Sequence, residues 1–377
     1  MSNKKIVLIV VNDAEFFLSH RSDLASYLKK SGYRVIVSTP FSFSVEEIKR
    51  LGFEHYSIPM SRAGIHLFKE WLSIRSLYRL FRSLKPDAVQ LITLKPVLYG
   101  GIAARLAGIN AVLYTITGRG HLYSSQKKSY QLLRLFFNFL LRFSFSHPNS
   151  KVLIQNNEDK EYFIKQRLLM PSQTVLIKGS GVDMEKFRPY PIPPSPPFVV
   201  LLACRLLWSK GVGEYVEAAR LLKNKFNAQF LLAGKIDYEN PEAISPQQIH
   251  QWDQEGCIEY LGFYANMLPL FQCAHVVCLP TCYGEGIPKV LIEAAAVGRP
   301  IVTTQTPGCN AIVQEGVNGH LVPPKDFRAL AEALQSFFIQ PEKIDSMGKA
   351  SRQRVEKEYD INVVNQTILE AYEELVR

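Results

Sequence analysis

Residues 189–197 read Pro-Tyr-Pro-Ile-Pro-Pro-Ser-Pro-Pro, and six prolines in nine positions restrict the chain more than any other stretch. Proline lacks the N–H that a helix interior or a central strand requires. The segment is therefore expected to be a stiff, extended connector. A chain of 377 residues is also longer than one ordinary core organises. The proline run thus divides it into an N-terminal domain at 1–188 and a C-terminal domain at 198–355. A last helix, at 356–377, packs back toward the first domain.

Short apolar runs lie on both sides of the connector. They fall at 5–11, 34–39, 88–93 and 111–116 before it, and at 199–203, 228–233, 276–280 and 301–304 after it. Helical spacing occupies intervals between them, at 16–30 with a stop at Gly32, at about 211–226, and at 288–296. Short continuous apolar strands alternating with helices indicate parallel sheets covered on both faces. The fold class is α/β, with two Rossmann-like domains facing each other across a cleft and ligands at the carboxyl ends of the strands.

Composition excludes several classes. With 47% hydrophobic and 21% charged residues, the chain is a folded globule and not a disordered one. Its longest apolar stretch, 132–145, is interrupted by Arg134, Asn138 and Arg142, and falls short of the ~18–20 residues a membrane span requires. Lys4 and Lys5 precede only residues 6–11 before Asn12 and Asp13 intervene, which reads as a buried strand and not as a secretion leader. The cysteines at 204, 257, 273, 278, 282 and 309 form no Cys-x-x-Cys pair, a usage that fits a reducing, cytoplasmic compartment.

The net charge of +10 is uneven: residues 1–190 carry +15 and the remainder −5. One domain is therefore set to meet something anionic. Between Arg62 and Arg142 thirteen Lys/Arg face only Glu70 and Asp87. Trp71, Ile74, Leu77, Tyr78 and Phe81 recur there at helical spacing, with Arg75, Arg79 and Arg82 interleaved. Leu132, Leu133, Leu135, Phe136, Phe137, Phe139, Leu140, Leu141 and Phe143 are likewise flanked by Lys127, Lys128, Arg134 and Arg142. Apolar faces rimmed by cations suit an anionic membrane surface, which places the protein peripherally on the inner face of the cell membrane. The alternative buries these aromatics in the core and leaves the cations merely solvated.

Three stretches carry chemistry. Cys204-Arg205-Leu206-Leu207-Trp208-Ser209-Lys210-Gly211 sets two cations between a strand's carboxyl end and a helix N-terminus, a combination suited to a diphosphate. Tyr283-Gly284-Glu285-Gly286-Ile287-Pro288 puts a carboxylate between glycines that let a ligand approach the backbone, with Pro288 in the first turn of the next helix. Glu293 follows eight residues after Glu285, among Ala and Leu, where a carboxylate is costly unless hydroxyls or other donors reach it. Gly179-Ser180-Gly181-Val182-Asp183 and the residues up to Pro189 read as a turn entering a hinge. Taken singly, each stretch also reads as ordinary loop or helix-surface residues.

In this order the three stretches resemble the family 4 glycosyltransferases of the GT-B fold, which carry an Arg–Lys pair in GRLxxxKG, a Glu-x7-Glu pair, and NGVDxxxFxP before the interdomain linker. Arg205 and Lys210 match the first, Glu285 and Glu293 the second, and 180–189 the third. Residues 279–304 look especially like the bacterial surface-polysaccharide branch, O-antigen assembly included. The resemblance implies a retaining, metal-independent transferase without a cofactor. Its donor is a nucleotide sugar, a UDP-linked hexose or N-acetylhexosamine, and its acceptor a lipid-linked saccharide. It implies that Arg205, Lys210 and Glu285 are catalytic, the two cations holding the diphosphate and Glu285 the transferred sugar. Glu293 then binds ribose, Gly286, Ile287 and Pro288 lie near the phosphates, and Gly262 and Phe263 line the base pocket. The sequence departs from the family's Arg followed by an acid where Pro307-Gly308-Cys309 runs into Asn310-Ala311: either both are replaced, or one residue is deleted and Asn310 stands for the acid.

On the N-terminal side the first loop, Asn12-Asp13-Ala14-Glu15, lacks the family's paired glycines. Lys95, Arg119 and His121 follow strand ends and are the candidate contacts to an acceptor diphosphate, with plain loop residues as the alternative. A dehydrogenase needs G-x-G-x-x-G after the first strand, which is absent. A GT-B nucleotide-sugar epimerase is the nearer rival. A non-catalytic basic scaffold on membrane or nucleic acid leaves the carboxylate-and-cation constellation without a purpose, so no nucleic-acid partner is expected.

Overall fold

The computed structural model describes residues 4–61, 67–120, 123, 128–238 and 240–377. The chain forms two compact units, 1–180 with 363–377, and 181–362. The first unit holds β1 (Ile6–Val11), β2 (Arg34–Thr39), β3 (Glu54–Ser57), β4 (Ala88–Ile92), β5 (Ala111–Ile116), β6 (Ser150–Ile154) and β7 (Thr174–Leu176). They form one parallel sheet in the order β3-β2-β1-β4-β5-β6-β7. The second unit holds β8 (Phe198–Ala203), β9 (Ala228–Ala233), β10 (Glu259–Gly262), β11 (Val276–Leu279), β12 (Ile301–Thr304) and β13 (Gly319–Val322), ordered β10-β9-β8-β11-β12-β13 and also parallel.

Why the central strands are apolar without alternation is visible in β1. Leu8 and Val10 enter one core with Leu77, Phe81, Leu141 and Phe145 from the helices Leu67–Leu84 and Lys128–Phe145. Val7, Ile9 and Val11 enter another, on the opposite face, with Phe17 and Leu28. A strand whose side chains point alternately up and down has no polar face to spare when both faces are covered. The helix Ile361–Leu375 belongs to the first unit: Ile368 and Tyr372 join the second of these cores, and the Tyr372 hydroxyl donates to buried Gln90 Oε1 at 2.8 Å.

Two expectations are corrected. The interval 16–30 is two helices, Ala14–His20 and Ser22–Lys30, because Arg21 leaves helical geometry at φ −136° and its side chain is buried. Asp13 caps the first of them through the backbone N–H groups of Glu15 and Phe16. The chain crosses between units at 180/181 and 362/363, not at 188/189 and 355/356. The proline run is not a free spacer. The fully buried guanidinium of Arg299 donates to the carbonyls of Tyr190, Pro191, Phe271 and Gln272, which fastens the run to the second unit. Burial pushes that guanidinium down to about 10, and carbonyls alone satisfy it. Just past the crossing, Val182 pairs with 359–361: Val182 N–H donates to Tyr359 O, and Ile361 N–H to Val182 O.

Candidate functional site

The order of the second sheet reverses direction at β8. From β8 the chain moves outward to β9 and β10, then returns to β11 on β8's other side. The carboxyl ends of β8 and β11 thus flank a topological switch point, where loops diverge and leave a crevice. The loop after β8 carries Arg205 and Lys210, and the loop after β11 carries Glu285. Chain segments 75 residues apart meet there, with Lys210 Nζ 2.5 Å from Glu285 Oε2.

Glycines make this meeting possible. Gly211 ends the short turn Trp208–Lys210 in a left-handed conformation, φ 76°, and a Cβ there would stand 2.0 Å from the Pro280 carbonyl oxygen. Only glycine lets the β8 loop lie against the end of β11. Gly308, in the helix Pro307–Ile312, does the same for the Glu285 loop: a Cβ on it would fall 1.9 Å from the Gly286 carbonyl oxygen. The Pro-Gly-Cys segment therefore serves as the bed of the Glu285 loop. Asn310, where the family departs, is exposed, and the Ala311 carbonyl accepts from Tyr359 and Arg354.

The charges here neutralise one another in pairs. Lys210 is 7% exposed. Burial works against its charge, yet Glu285 and Tyr283 together hold its pKa well above the ordinary lysine range. The Tyr283 ring lies 5.2 Å from Nζ. Glu285 Oε1 is buried with no hydrogen-bond partner among the described residues, an acceptor left for a donor to satisfy. Arg205, 42% exposed at its side chain, donates from Nη1 to Asp237 Oδ2 at 3.0 Å. Its pKa is raised, burial being outweighed by Tyr283, Asp237 and Glu285.

Glu293 sits in the helix Lys289–Ala296 and is 8% exposed, with Lys289 Nζ at 3.4 Å. Burial raises its pKa, and Lys289 opposes the rise. Pro288 is at the N-cap, one residue before the helix, and not within its first turn. Ile287 is buried in the core, while Gly286 carries the carbonyl that rests on Gly308. Gly262 closes β10 at φ 75°, and Phe263 beside it is 66% exposed. The structure brings Lys210 and Glu285 into contact, and shows no contact that joins Glu293 or Phe263 to them. Asp237, Tyr283 as a partner of Lys210, and Gly308 were given no role from the sequence. For Asp237 the one available signal was its position just past the carboxyl end of β9.

The first unit holds its candidates differently. Lys95 Nζ donates to Glu70 Oε1 at 2.7 Å and Ser61 Oγ at 2.9 Å, and both charged side chains are largely buried. Arg119 Nε lies 2.7 Å from Asp159 Oδ1, with its guanidinium 4.9 Å from the Tyr162 ring. Both cations are therefore already paired with carboxylates. His121 lies outside the described residues. Among those residues, no group of three or more His, Cys, Asp or Glu side chains is placed to hold a metal ion, no helix is long and apolar enough to cross a membrane, and all six cysteines are free.

Comparison with known proteins agrees with this geometry. A family described as "Glycosyl transferases group 1" matches residues 197–339, and one described as "Glycosyl transferase 4-like" matches residues 5–157. The chain is 28% identical to the N,N'-diacetylbacillosaminyl-diphospho-undecaprenol alpha-1,3-N-acetylgalactosaminyltransferase of Campylobacter jejuni, over 96% of this chain and 98% of that one. It is 27% identical to the UDP-Gal:alpha-D-GlcNAc-diphosphoundecaprenol alpha-1,3-galactosyltransferase of Escherichia coli, over 74% and 73% of the two chains. The crystal structure of Anabaena HepE in complex with UDP superposes with a TM-score of 0.75 at 19% identity, covering 98% of this chain and 99% of that one, which shows a common fold.

Proposed function

We propose, for a chain that belongs to the glycosyltransferases of the GT-B fold, that it is a retaining, metal-independent member of family 4. It transfers a UDP-linked hexose or N-acetylhexosamine to a polyprenyl-diphosphate-linked saccharide in surface-polysaccharide assembly. The observation that carries this reading is the contact between Lys210 and Glu285 at the switch point. A diphosphate leaving group needs fixed positive charge where its own negative charge grows, and Lys210 and Arg205 supply it without a metal. Glu285, with one buried oxygen unpaired, is placed to accept from hydroxyls of the departing sugar. Transfer breaks the bond from the anomeric carbon to the diphosphate and forms one to the acceptor oxygen on the same face. The leaving diphosphate takes the acceptor's proton. The acceptor class follows the acceptors in the names of the Campylobacter and Escherichia relatives.

The acceptor lipid requires a membrane, and the first unit has a face for one. Within Lys128–Phe145 the residues Phe137, Leu141 and Phe145 are buried, while Leu135, Phe136, Phe139 and Phe143 are exposed, Phe139 by 69%. Arg105 stacks over Phe143 at 4.7 Å, and exposed Arg142 adds a second cation. In Leu67–Leu84 the core takes Leu77 and Phe81, while Phe68, Trp71 and Tyr78 stay outside. Lys127 lies outside the described residues. We infer peripheral attachment to the inner leaflet, since burying several exposed rings adds to about 1 kcal/mol per basic residue near an anionic surface.

Two experiments test these readings. A thermal-shift screen of UDP-, GDP- and ADP-sugars should single out a UDP-sugar, because a ligand stabilises the form it binds. Stabilisation by none of them refutes the donor assignment. In vesicle co-sedimentation the protein should bind anionic lipid at low salt and be released at high salt, and Phe136→Ser with Phe139→Ser should weaken binding. Indifference to anionic vesicles points to a soluble acceptor.

A further inference from the structure

In the segment 234–245, between β9 and the helix Pro246–Gln254, residues 235 and 242–244 bond to the Arg205 segment. Leu206 N–H donates to Lys235 O, Trp208 N–H to Glu242 O, and Ile244 N–H to Leu206 O. Leu207 and Ala243 form an antiparallel bridge. Inside the segment a turn closes through Asn240 N–H to Asp237 O and Ala243 N–H to Asn240 O, and Asn240 Oδ1 accepts from Glu242 N–H. This backbone lattice sets one side chain against the donor site: Asp237, whose carboxylate is 11% exposed and meets Arg205 Nη1 at 3.0 Å.

We propose that Asp237 is a positioning residue for the transfer reaction, acting through Arg205. The inference rests on the donor-diphosphate reading given above. Arg205 is more than a third exposed at its side chain, and an unrestrained arginine there samples many rotamers. Asp237 takes Nη1, and Nε and Nη2 make no hydrogen bond among the described residues. The guanidinium is a planar fork, so a carboxylate holding one edge fixes the plane and aims the opposite edge. Lys210 is fixed differently, by burial and by Glu285. The two cations of the clamp thus have different anchors. Glu285 is also assigned to the sugar, whereas Asp237 has no assigned contact with the donor and can stay on Arg205 throughout the cycle. Held at Nη1 alone, the guanidinium keeps Nε and Nη2 for the donor, so Asp237 acts through Arg205.

This predicts a specific pattern of kinetics. Asp237→Ala should lower kcat about tenfold, since a small misplacement of a charge-stabilising group is costly to the transition state. KM for the donor should move less than threefold, because lost order and lost like-charge repulsion oppose each other. Asp237→Asn keeps an acceptor oxygen and should fall between Ala and wild type. The experiment is a double-mutant cycle on the full chain, with UDP release measured from UDP-glucose, UDP-galactose and their N-acetyl forms in the presence of a polyprenyl-diphosphate-linked saccharide acceptor. Arg205→Ala should lower kcat about a hundredfold, and the Arg205→Ala/Asp237→Ala double variant should match it within twofold. Wild-type kcat in Asp237→Ala overturns the inference. So does a full tenfold loss that persists in the Arg205→Ala background, which would mark Asp237 as a general support of the loop. If Arg205→Ala itself turns over like wild type, the donor-diphosphate reading fails and takes the inference with it.

Discussion

Replacing Glu285 by Gln separates two roles that the motif alone leaves fused. The carboxylate is assigned to the donor sugar, yet without ligand it holds Lys210 at 2.5 Å. A diphosphate that recruits Lys210 must draw it off Glu285, and must also approach a negative charge. Glu285→Gln weakens the first obstacle, leaving only a neutral acceptor for Lys210, and removes the second, so bare UDP should bind more tightly to the variant while transfer collapses. The gain is set by what the pair contributes in the free protein. A hydrogen bond between charged groups is worth about 1.5–3 kcal/mol, which corresponds to UDP binding about 10–100-fold tighter. The same substitution strands a buried ammonium, so the free protein should melt earlier and saturating UDP should restore most of the loss. Adding Lys210→Met should recover stability without UDP, since no unpaired charge then remains.

Calorimetric titration of UDP and thermal melting with and without UDP read both quantities. The working range needs no special care. A lysine whose folded pKa is raised contributes stability that is fully present below its ordinary 10.5 and is lost only as pH rises through the higher folded value. The pair is therefore insensitive to lysine titration from pH 7 to 9. UDP binding to Glu285→Gln that is equal to or weaker than wild type would refute the displacement argument, because Lys210 would then serve carboxylate and diphosphate together.

Three further outcomes follow from the same geometry. Glu293→Gln should stabilise the free protein at pH 7.5 by about 1 kcal/mol, or about 2–4 °C, while weakening nucleotide binding; a carboxyl with a raised folded pKa contributes stability that is present below the ordinary 4.5 and lost as pH rises through the folded value, so the advantage should vanish in melts near pH 4. Gly211→Ala places a methyl against the Pro280 carbonyl at a left-handed φ, and should cost at least about 2 kcal/mol in denaturant unfolding, as strained backbone substitutions do. Chelator should leave transfer unchanged, and complete loss restored by a divalent ion would count against charge stabilisation by Arg205 and Lys210 alone.

The fold was legible because its signal is local. Each buried parallel strand has to be apolar on both faces, so β1, β2, β5 and β9 stand out as continuous runs bounded by polar residues. Short or half-buried strands carry no such signal: β3 is largely exposed, and β7 has three residues of intermediate burial. The proline run marked a boundary but misplaced the crossing. Where that run lies is decided by Arg299, a single buried side chain that gathers carbonyls from 108 and 109 residues away as well as from the helix Leu268–Cys273. No spacing rule announces such an anchor. Likewise the break at Arg21 interrupts a helical periodicity that continues unbroken in the sequence.

The candidate site was legible by residue and not by state. Motif spacing put two cations after one strand and a glutamate after another, and parallel topology alone then required their loops to share an end of the sheet. Spacing could not show that each cation already holds a carboxylate, Lys210 with Glu285 and Arg205 with Asp237. In the first unit Lys95 and Arg119 are paired in the same way with Glu70 and Asp159. A motif reports which charges are present, while pairing depends on side chains brought together by the fold. Pairing also has a consequence for chemistry. A clamp of two bare, buried cations would be costly to fold and would hold any phosphate that reached it. On the proposed reading the paired clamp can fold empty, and Glu285 displaces the product by returning to Lys210 while Asp237 stays on Arg205. On that reading, selectivity falls to the group that repays Glu285 for the loss of Lys210, the part proposed for a hydroxyl of the donor sugar.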